Sequence, residues 1–390
     1  MNIMYIGAFR LPNFDAAAPR VLNNARAMTL CGHEVSFISW GGKLRESDKG
    51  DDGIYRIDGM RYIITGELDL KGSVISRLYN ALRRGDKTMK LLKEMSPKPD
   101  VIIMYNSGYG FTKSLLSFCK KYDIKLVNDL TEWYDNKELR FWDIIPNYLN
   151  MLYLQKKVKN KICISSYLNK YYNESNNIVV PPLCDFSEPK WMCSINDERI
   201  QAFDGITLIY AGNPAKKDSV HTIINVVNKL AFQGKSIRFV ILGISREDYL
   251  SNYSDFLHVK SLHHNILFLG RLSQDLVPAY YKKADFMVLL REPNRKSMAG
   301  FPTKFAESMV AGVPVIANIT SDLCEYLIDE KTGFIVGDNS SKSLEITLEK
   351  VLNITRERLQ EIKKNVAENN QIFDYKYRVY DFDLFLNSLR

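Results

Sequence analysis

The chain has 390 residues, 46% of them hydrophobic, 12% aromatic and 25% charged, with a formal net charge of +8. That apolar and aromatic content excludes a disordered protein, and the length exceeds what one hydrophobic core usually serves, so two domains are expected. The positive excess suits an anionic small molecule, an anionic membrane face or nucleic acid, but no recognised nucleic-acid module appears, so nucleic acid is not an expected partner.

The opening segment MNIMYIGAF lacks the basic start of a signal peptide and reads as a first strand. EVSFIS, DVIIMYN, KLVNDL, KICISS and NIVVPP follow as short apolar runs rich in Val and Ile, the pattern of buried parallel strands. Helical periods lie between them at 16–31, 75–95, 111–122 and roughly 136–158. A second strand series runs through ITLIYAG, SIRFVILG, NILFLG, DFMVLLR, PVIAN and GFIVG, again with helices between. Two consecutive βα series predict two doubly wound α/β domains, each Rossmann-like with a parallel sheet. The expected boundaries are 1–185 for the first domain, a proline-bearing linker at 186–204, and 205–372 for the second. A tail at 373–390, with Val379, Phe382, Leu386 and Leu389 at helical spacing, is expected to return to the first domain. Ligands of such sheets sit beyond the C-terminal strand ends, so two domains facing one another would share a cleft.

No run reaches the length of a membrane span. The six cysteines form no C-x-x-C pair and no Cys/His cluster has metal spacing, which points to a reducing, cytoplasmic setting. The five histidines show no spacing for a metal or a triad, and the absence of G-x-G-x-x-G speaks against a nicotinamide enzyme. The one D-x-D, at Asp381 and Asp383, falls on the tail helix rather than after a strand, so no essential metal is expected.

The richest stretch is AGFPTKFAESMVAGVPVIAN, residues 299–318. A strand ends near Arg291, a loop with Gly300 follows, and a helix opens at Pro302, where a missing N–H costs nothing. Backbone amides at a helix start suit a phosphate. Lys304 and Glu307 stand three apart on that helix; the lysine can meet a phosphate and the carboxylate can accept from two adjacent sugar hydroxyls. A solvated Lys and Glu on an ordinary βα helix is the plainer alternative.

Four segments in order resemble the GT-B-fold glycosyltransferases of family 4, retaining enzymes that use nucleotide sugars: IYAGNPAKKDSVHTII, FLGRLSQDLVPAYYKKADFMVLL, GFPTKFAESMVAGVPVIAN and SDLCEYLIDEKTGFIVG. The first half matches more loosely, through its opening strand, ISSYL and VVPPLCD. The resemblance implies that Glu307 holds the donor ribose, that Gly300, Phe301, Pro302 and Thr303 form the loop cradling the diphosphate, that Lys217 neutralises that diphosphate during catalysis, and that Gly212 is the turn letting the backbone approach it. Two positions depart from the family pattern: Ala299 replaces the first Glu of E-x7-E, and Asn213 replaces an arginine after Gly212. Lys304 and Arg291 offer substitute positive charge.

In the first half, Asp129 and Glu132 follow a strand, where a catalytic carboxylate would sit; a turn or cap role for Asp129 is the alternative. Arg20, after the first strand, could meet a phosphate of donor or acceptor, or be a surface arginine at a helix start. The segments 77–95 and 157–161 mix bases with apolar residues and could lie on an anionic membrane or simply be solvated. The expectation is a metal-independent transferase with no cofactor, acting on a nucleotide sugar and a saccharide acceptor, free or lipid-linked, for cell-surface polysaccharide such as capsule or O-antigen. A nucleotide-sugar 2-epimerase of the same fold, or an inactive scaffold, are the alternatives.

Overall fold

A computed structural model of the chain describes residues 1–68, 83–134, 139, 141–173, 176–214, 218–253, 255 and 261–390, the side chains of 141–143 excepted. The chain divides into two compact units, Met1–Leu183 with Tyr375–Arg390, and Cys184–Asp374. Both are α/β with doubly wound sheets, the domain type of the GT-B fold.

The first unit holds an eight-stranded sheet. Its strands are β1 (Asn2–Leu11), β2 (Glu34–Gly42), β3 (Arg56–Ile57), β4 (Met60–Ile64), β5 (Val101–Tyr105), β6 (Lys125–Leu130), β7 (Asn160–Cys163) and β8 (Asn176–Val179). They lie in the order β3-β4-β2-β1-β5-β6-β7-β8, and every pairing but β3 with β4 is parallel. Because side chains alternate faces along a strand, Ile3, Tyr5, Ile103 and Tyr105 enter one core and Met4, Ile6, Ile102 and Met104 the other. The first core takes helix Ala17–Leu30 and the chain's last helix, Val379–Asn387, through Phe382 and Leu386. The second takes helix Tyr109–Tyr122 through Phe111, Leu115 and Phe118.

The second unit holds a six-stranded sheet of β9 (Ile206–Ala211), β10 (Ile237–Leu242), β11 (Ile266–Phe268), β12 (Phe286–Leu289), β13 (Val315–Asn318) and β14 (Gly333–Val336). All pairings are parallel, in the order β11-β10-β9-β12-β13-β14. The winding reverses between β9 and β12, and it is beyond the C-terminal ends of such strands that open α/β sheets bind ligands.

Two expectations need correction, and one element was missed. The stretch 186–204, read as a linker, belongs to the second unit: the Trp191 indole is buried and donates to the Asp185 carbonyl at 2.7 Å, and Asp197 accepts from Tyr280 Oη at 2.6 Å. The hairpin of β3 and β4 was not foreseen; Asp58 and Gly59 turn it with φ of 51° and 79°, the left-handed conformations a tight hairpin needs. The single helix expected at 136–158 is broken among its described residues into Phe141–Leu149, a π turn at Asn150–Leu154 and Gln155–Lys157, with Pro146 inside the first piece. Residues 75–82 of the second expected helix lie outside the described residues, and helix is described over Asp86–Glu94.

Candidate functional site

The site builds up around the reversal point of the second sheet. β9 ends at Ala211 and the chain turns at Gly212, whose φ is 141°. Asp218 returns beside the end of β12, its backbone bridged to Arg291, and Ser219 N–H donates to Leu290 O at 2.9 Å. The Asp218 carboxylate is buried and gathers three groups: Tyr210 Oη at 2.7 Å, Lys304 Nζ at 2.9 Å, and Arg291 Nε at 3.3 Å. Burial alone would push this carboxyl up, but the Lys304 ammonium, its hydrogen bond and the Arg291 charge outweigh burial and hold it below the usual carboxylate range. Two cations around one carboxylate leave local positive charge at the strand ends.

Lys304 reaches Asp218 from the first turn of helix Thr303–Val310. Its passage depends on Gly212. A Cβ on residue 212 would lie 2.5 Å from Lys304 Cε, and φ of 141° is a backbone conformation side-chain-bearing residues rarely adopt. Gly212→Ala is expected to cost about 1–3 kcal/mol of stability and to swing Lys304 off Asp218. Calorimetry with UDP and GDP checks it: diphosphate affinity equal to that of the native chain would contradict the role given to Gly212.

The helix start itself carries no side-chain cap. The first N–H groups of a helix have no partner within it, so Thr303 and Lys304 present uncapped amides beside the Lys304 ammonium. The neighbouring residues contribute less than expected. Gly300 N–H is committed to Lys296 O at 3.0 Å. The Phe301 ring is buried among Phe305, Tyr326 and Phe373, and Pro302 has no N–H. The cradle is therefore shorter than the span 300–303.

Glu307 follows one turn after Lys304 and is half-buried. Burial raises its carboxyl above the ordinary glutamate value, against the pull of Lys190 and Lys304. A partly desolvated carboxylate accepts hydrogen bonds strongly, which suits a pair of hydroxyls. Asn213 is exposed, and its carbonyl accepts from Tyr210 Oη at 3.3 Å. Arg291 is buried, with its guanidinium turned to Asp218, so its charge reaches the site through that carboxylate rather than from an open position. Ala299 is fully buried at the end of helix Arg295–Ala299. Lys217 lies outside the described residues. Asp218 and Tyr210 were not foreseen; the signal available was an acid directly after two lysines at a helix start, which also reads as a cap.

In the first unit the structure corrects two assignments. Asp129 and Arg20 are both buried and face one another: Arg20 Nη2 meets Asp129 Oδ1 at 2.7 Å, and Arg20 Nε lies 3.0 and 3.1 Å from its two oxygens. Arg20 Nη1 donates to Val180 O at 2.9 Å, and Tyr5 Oη donates to Asp129 Oδ2. The guanidinium has no edge left for a phosphate, and the carboxylate no open side for a substrate proton. The pair instead ties β1, helix Ala17–Leu30, β6 and the residues after β8. Glu132, on the segment after β6, is half-buried and is not part of this cluster.

Among the described residues, no group of three or more His, Cys, Asp and Glu side chains is placed to hold a metal ion, and no helix is long and apolar enough to cross a membrane.

The family model described as glycosyl transferases group 1 matches residues 196–369, which contain the whole Asp218–Lys304–Glu307 site. The provisionally named colanic acid biosynthesis glycosyltransferase WcaL of Salmonella typhimurium is 25% identical over 179 residues, 43% of this chain and 44% of that protein. The capsular polysaccharide biosynthesis glycosyltransferase CapM of Staphylococcus aureus is 21% identical over 150 residues, 38% of this chain and 37% of that protein. The chain thus spans less than half the length of these curated relatives. Among solved structures, Anabaena HepE in complex with UDP and glucose superposes with a TM-score of 0.70 at 13% identity, covering 100% of both chains. The match to the glycosyl transferases group 1 model lies within the second unit, and the chain has the GT-B fold.

Proposed function

We propose that this GT-B chain is a glycosyltransferase of cell-surface polysaccharide synthesis, moving a sugar from a nucleotide-diphosphate sugar to a saccharide hydroxyl. The observation that carries the reading is the cationic cluster of Lys304 and Arg291 around Asp218 at the sheet's reversal point, next to an uncapped helix start, inside the part of the chain matching the family model. Glycosyl transfer leaves negative charge on the departing diphosphate, so the site must stabilise that charge as it develops. The Lys304 ammonium and the amides of Thr303 and Lys304 are arranged to do so, with Lys217 as a further cation, and the transfer proceeds without a metal. Glu307 receives the ribose hydroxyls. The anomeric configuration of the sugar is retained, with a donor phosphate oxygen taking the acceptor proton. The acceptor is a saccharide carried on a lipid, the protein is cytoplasmic, and it works at the inner face of the membrane.

A second reading, a binding partner without turnover, is favoured by Ala299, a buried methyl where the family pattern has an acid. Thermal shift against a panel of nucleotides and nucleotide sugars tests the binding half, because a ligand of the native state raises its stability. The donor identified in that screen is then incubated with and without lipid-linked saccharides, with and without a chelator. Transfer that survives the chelator and keeps the anomeric configuration is expected. Donor binding without transfer would favour the silent partner, and donor epimerised without acceptor would favour an epimerase.

Glu307→Gln gives opposite signs in two measurements. Losing the charged acceptor is expected to weaken nucleotide binding by about 1–3 kcal/mol. The native carboxyl, raised on folding, costs stability at neutral pH; that cost fades as pH falls through the raised value and is gone below the ordinary glutamate value of ~4.3. The variant should therefore melt higher than the native chain at pH 7 and level with it in acid. Unchanged nucleotide affinity would remove Glu307 from the site.

A further inference from the structure

The helix after β6 buries one face and leaves a second, apolar face uncovered. Along Phe141–Leu149 and the π turn that follows, Ile145, Tyr148, Leu149 and Tyr153 are 70%, 56%, 40% and 57% exposed. They recur at spacings of three, one and four, so they form one stripe along the helix. The opposite face is fixed to the first unit. Asn150, Met151, Leu154 and Gln155 are buried; Asn150 Nδ2 donates to Ser107 O at 2.7 Å, Tyr172 Oη donates to Met151 O at 3.1 Å, and Asn128 donates to Gln155. The helix cannot roll its stripe inward without breaking these bonds.

Charge identifies what the stripe meets. From Ile144 to Asn160 the sequence holds no acidic residue and three lysines, Lys156, Lys157 and Lys159, all exposed. Lys157 Nζ lies 4.1 Å from the Tyr153 ring centroid, so base and aromatic stand together at one end of the stripe. A row of aliphatic and tyrosine side chains beside lysines, with no acid among them, matches the interfacial region of an anionic bilayer. There the apolar part sinks to the acyl boundary, tyrosine hydroxyls stay at the headgroups, and lysines face the lipid phosphates. A second protein copy fits less well, since it would bring the same lysines face to face.

We propose that the stripe Ile145–Tyr148–Leu149–Tyr153, with Lys156, Lys157 and Lys159, is the surface by which this protein lies on an anionic lipid membrane. The assignment rests on the membrane part of the functional reading and needs none of its transfer chemistry. It keeps Lys157 and Lys159 of the segment 157–161 and adds the apolar stripe of the helix after β6.

Flotation with vesicles tests it on the full chain. The native protein is expected to float with mixed phosphatidylglycerol–phosphatidylcholine vesicles and much less with phosphatidylcholine alone. Raising salt from about 0.1 M to about 1 M, where the Debye length shortens from ~10 Å to ~3 Å, should weaken binding. Ile145→Glu/Tyr153→Glu and Lys156→Glu/Lys157→Glu should each lower vesicle affinity roughly tenfold or more. Their melting temperatures should match the native chain's, because the altered side chains are exposed. Phe232→Glu, at an equally exposed apolar position of the second unit, should bind as the native chain does. If the native protein ignores anionic vesicles, membrane contact itself falls. If it binds and both double variants bind equally well, contact lies elsewhere and only this surface is overturned. A native dimer that the stripe variants convert to a monomer, without a lipid effect, would also overturn it.

Discussion

Asp129→Ala should destabilise the first unit by about 3–5 kcal/mol, the usual result of leaving one partner of a buried ion pair behind. Arg20 and Asp129 are 4% and 0% exposed as side chains, so neither charge can recover in water what it loses with its partner. Arg20 holds its proton more firmly than an ordinary arginine: burial works against the charge, and the Asp129 carboxylate more than compensates. In Asp129→Ala the guanidinium keeps its charge, its carbonyl bond to Val180 and no counter-ion in that cluster. Native-state hydrogen exchange on the amides of β1, β5 and β6 reads the first unit separately. A loss below about 1 kcal/mol would show the pair to be better solvated than its geometry implies. The double variant Arg20→Met/Asp129→Leu removes both charges and should recover most of the loss. Its turnover settles the chemistry: activity near native excludes Asp129 as a catalytic base, while a stable but inactive double variant would restore that assignment.

The strands were legible because burial on both faces forces near-continuous runs of Val, Ile, Leu and Met. Val101–Tyr105 and Ile237–Leu242 have no surface-facing positions to interrupt them. The site helix was legible through Pro302 and the Gly312 stop, both of which act on local backbone. Long-range pairings left no local trace. Arg20 and Asp129 stand 109 positions apart, and each alone looks like a charged residue beside a strand, where catalytic groups also sit. Asp218 was hidden for a related reason: an acid at a helix start is an ordinary cap, and only the fold brings Arg291 and Lys304 to it. The stretch 186–204 looked like a linker because prolines and charges break any period. Its order comes from tertiary anchors, the Trp191 side chain and the Asp197–Tyr280 bond, which periodicity cannot register. Buried Arg and Asp side chains were the blind spot, since their partners are distant in sequence and buried charge is uncommon.

Asp218→Ala should produce the other large effect, a loss of about 3 kcal/mol in the second unit. The carboxylate is 3% exposed and its partners Arg291 and Lys304 are 6% and 19% exposed, so the Arg291 side of the cluster bears most of the cost and Lys304 can relax toward solvent. Because the native carboxyl is held below the usual range, its stabilising contribution is complete at neutral pH and down to about the ordinary aspartate value of ~3.9. It is lost progressively as pH falls from there through the depressed value, so the variant and the native chain should converge only in strong acid. The same substitution removes the one negative charge between the two cations. An added polyanion can take its place, so inorganic pyrophosphate should raise the melting temperature of Asp218→Ala more than that of the native chain. Asp218→Glu, which keeps the charge, should show a smaller loss and a native-like response. An equal pyrophosphate response in all three proteins would mean that the anion does not use Lys304 and Arg291, and the cluster would then be a brace for β9, β12 and the helix from Thr303 rather than the seat of the leaving diphosphate.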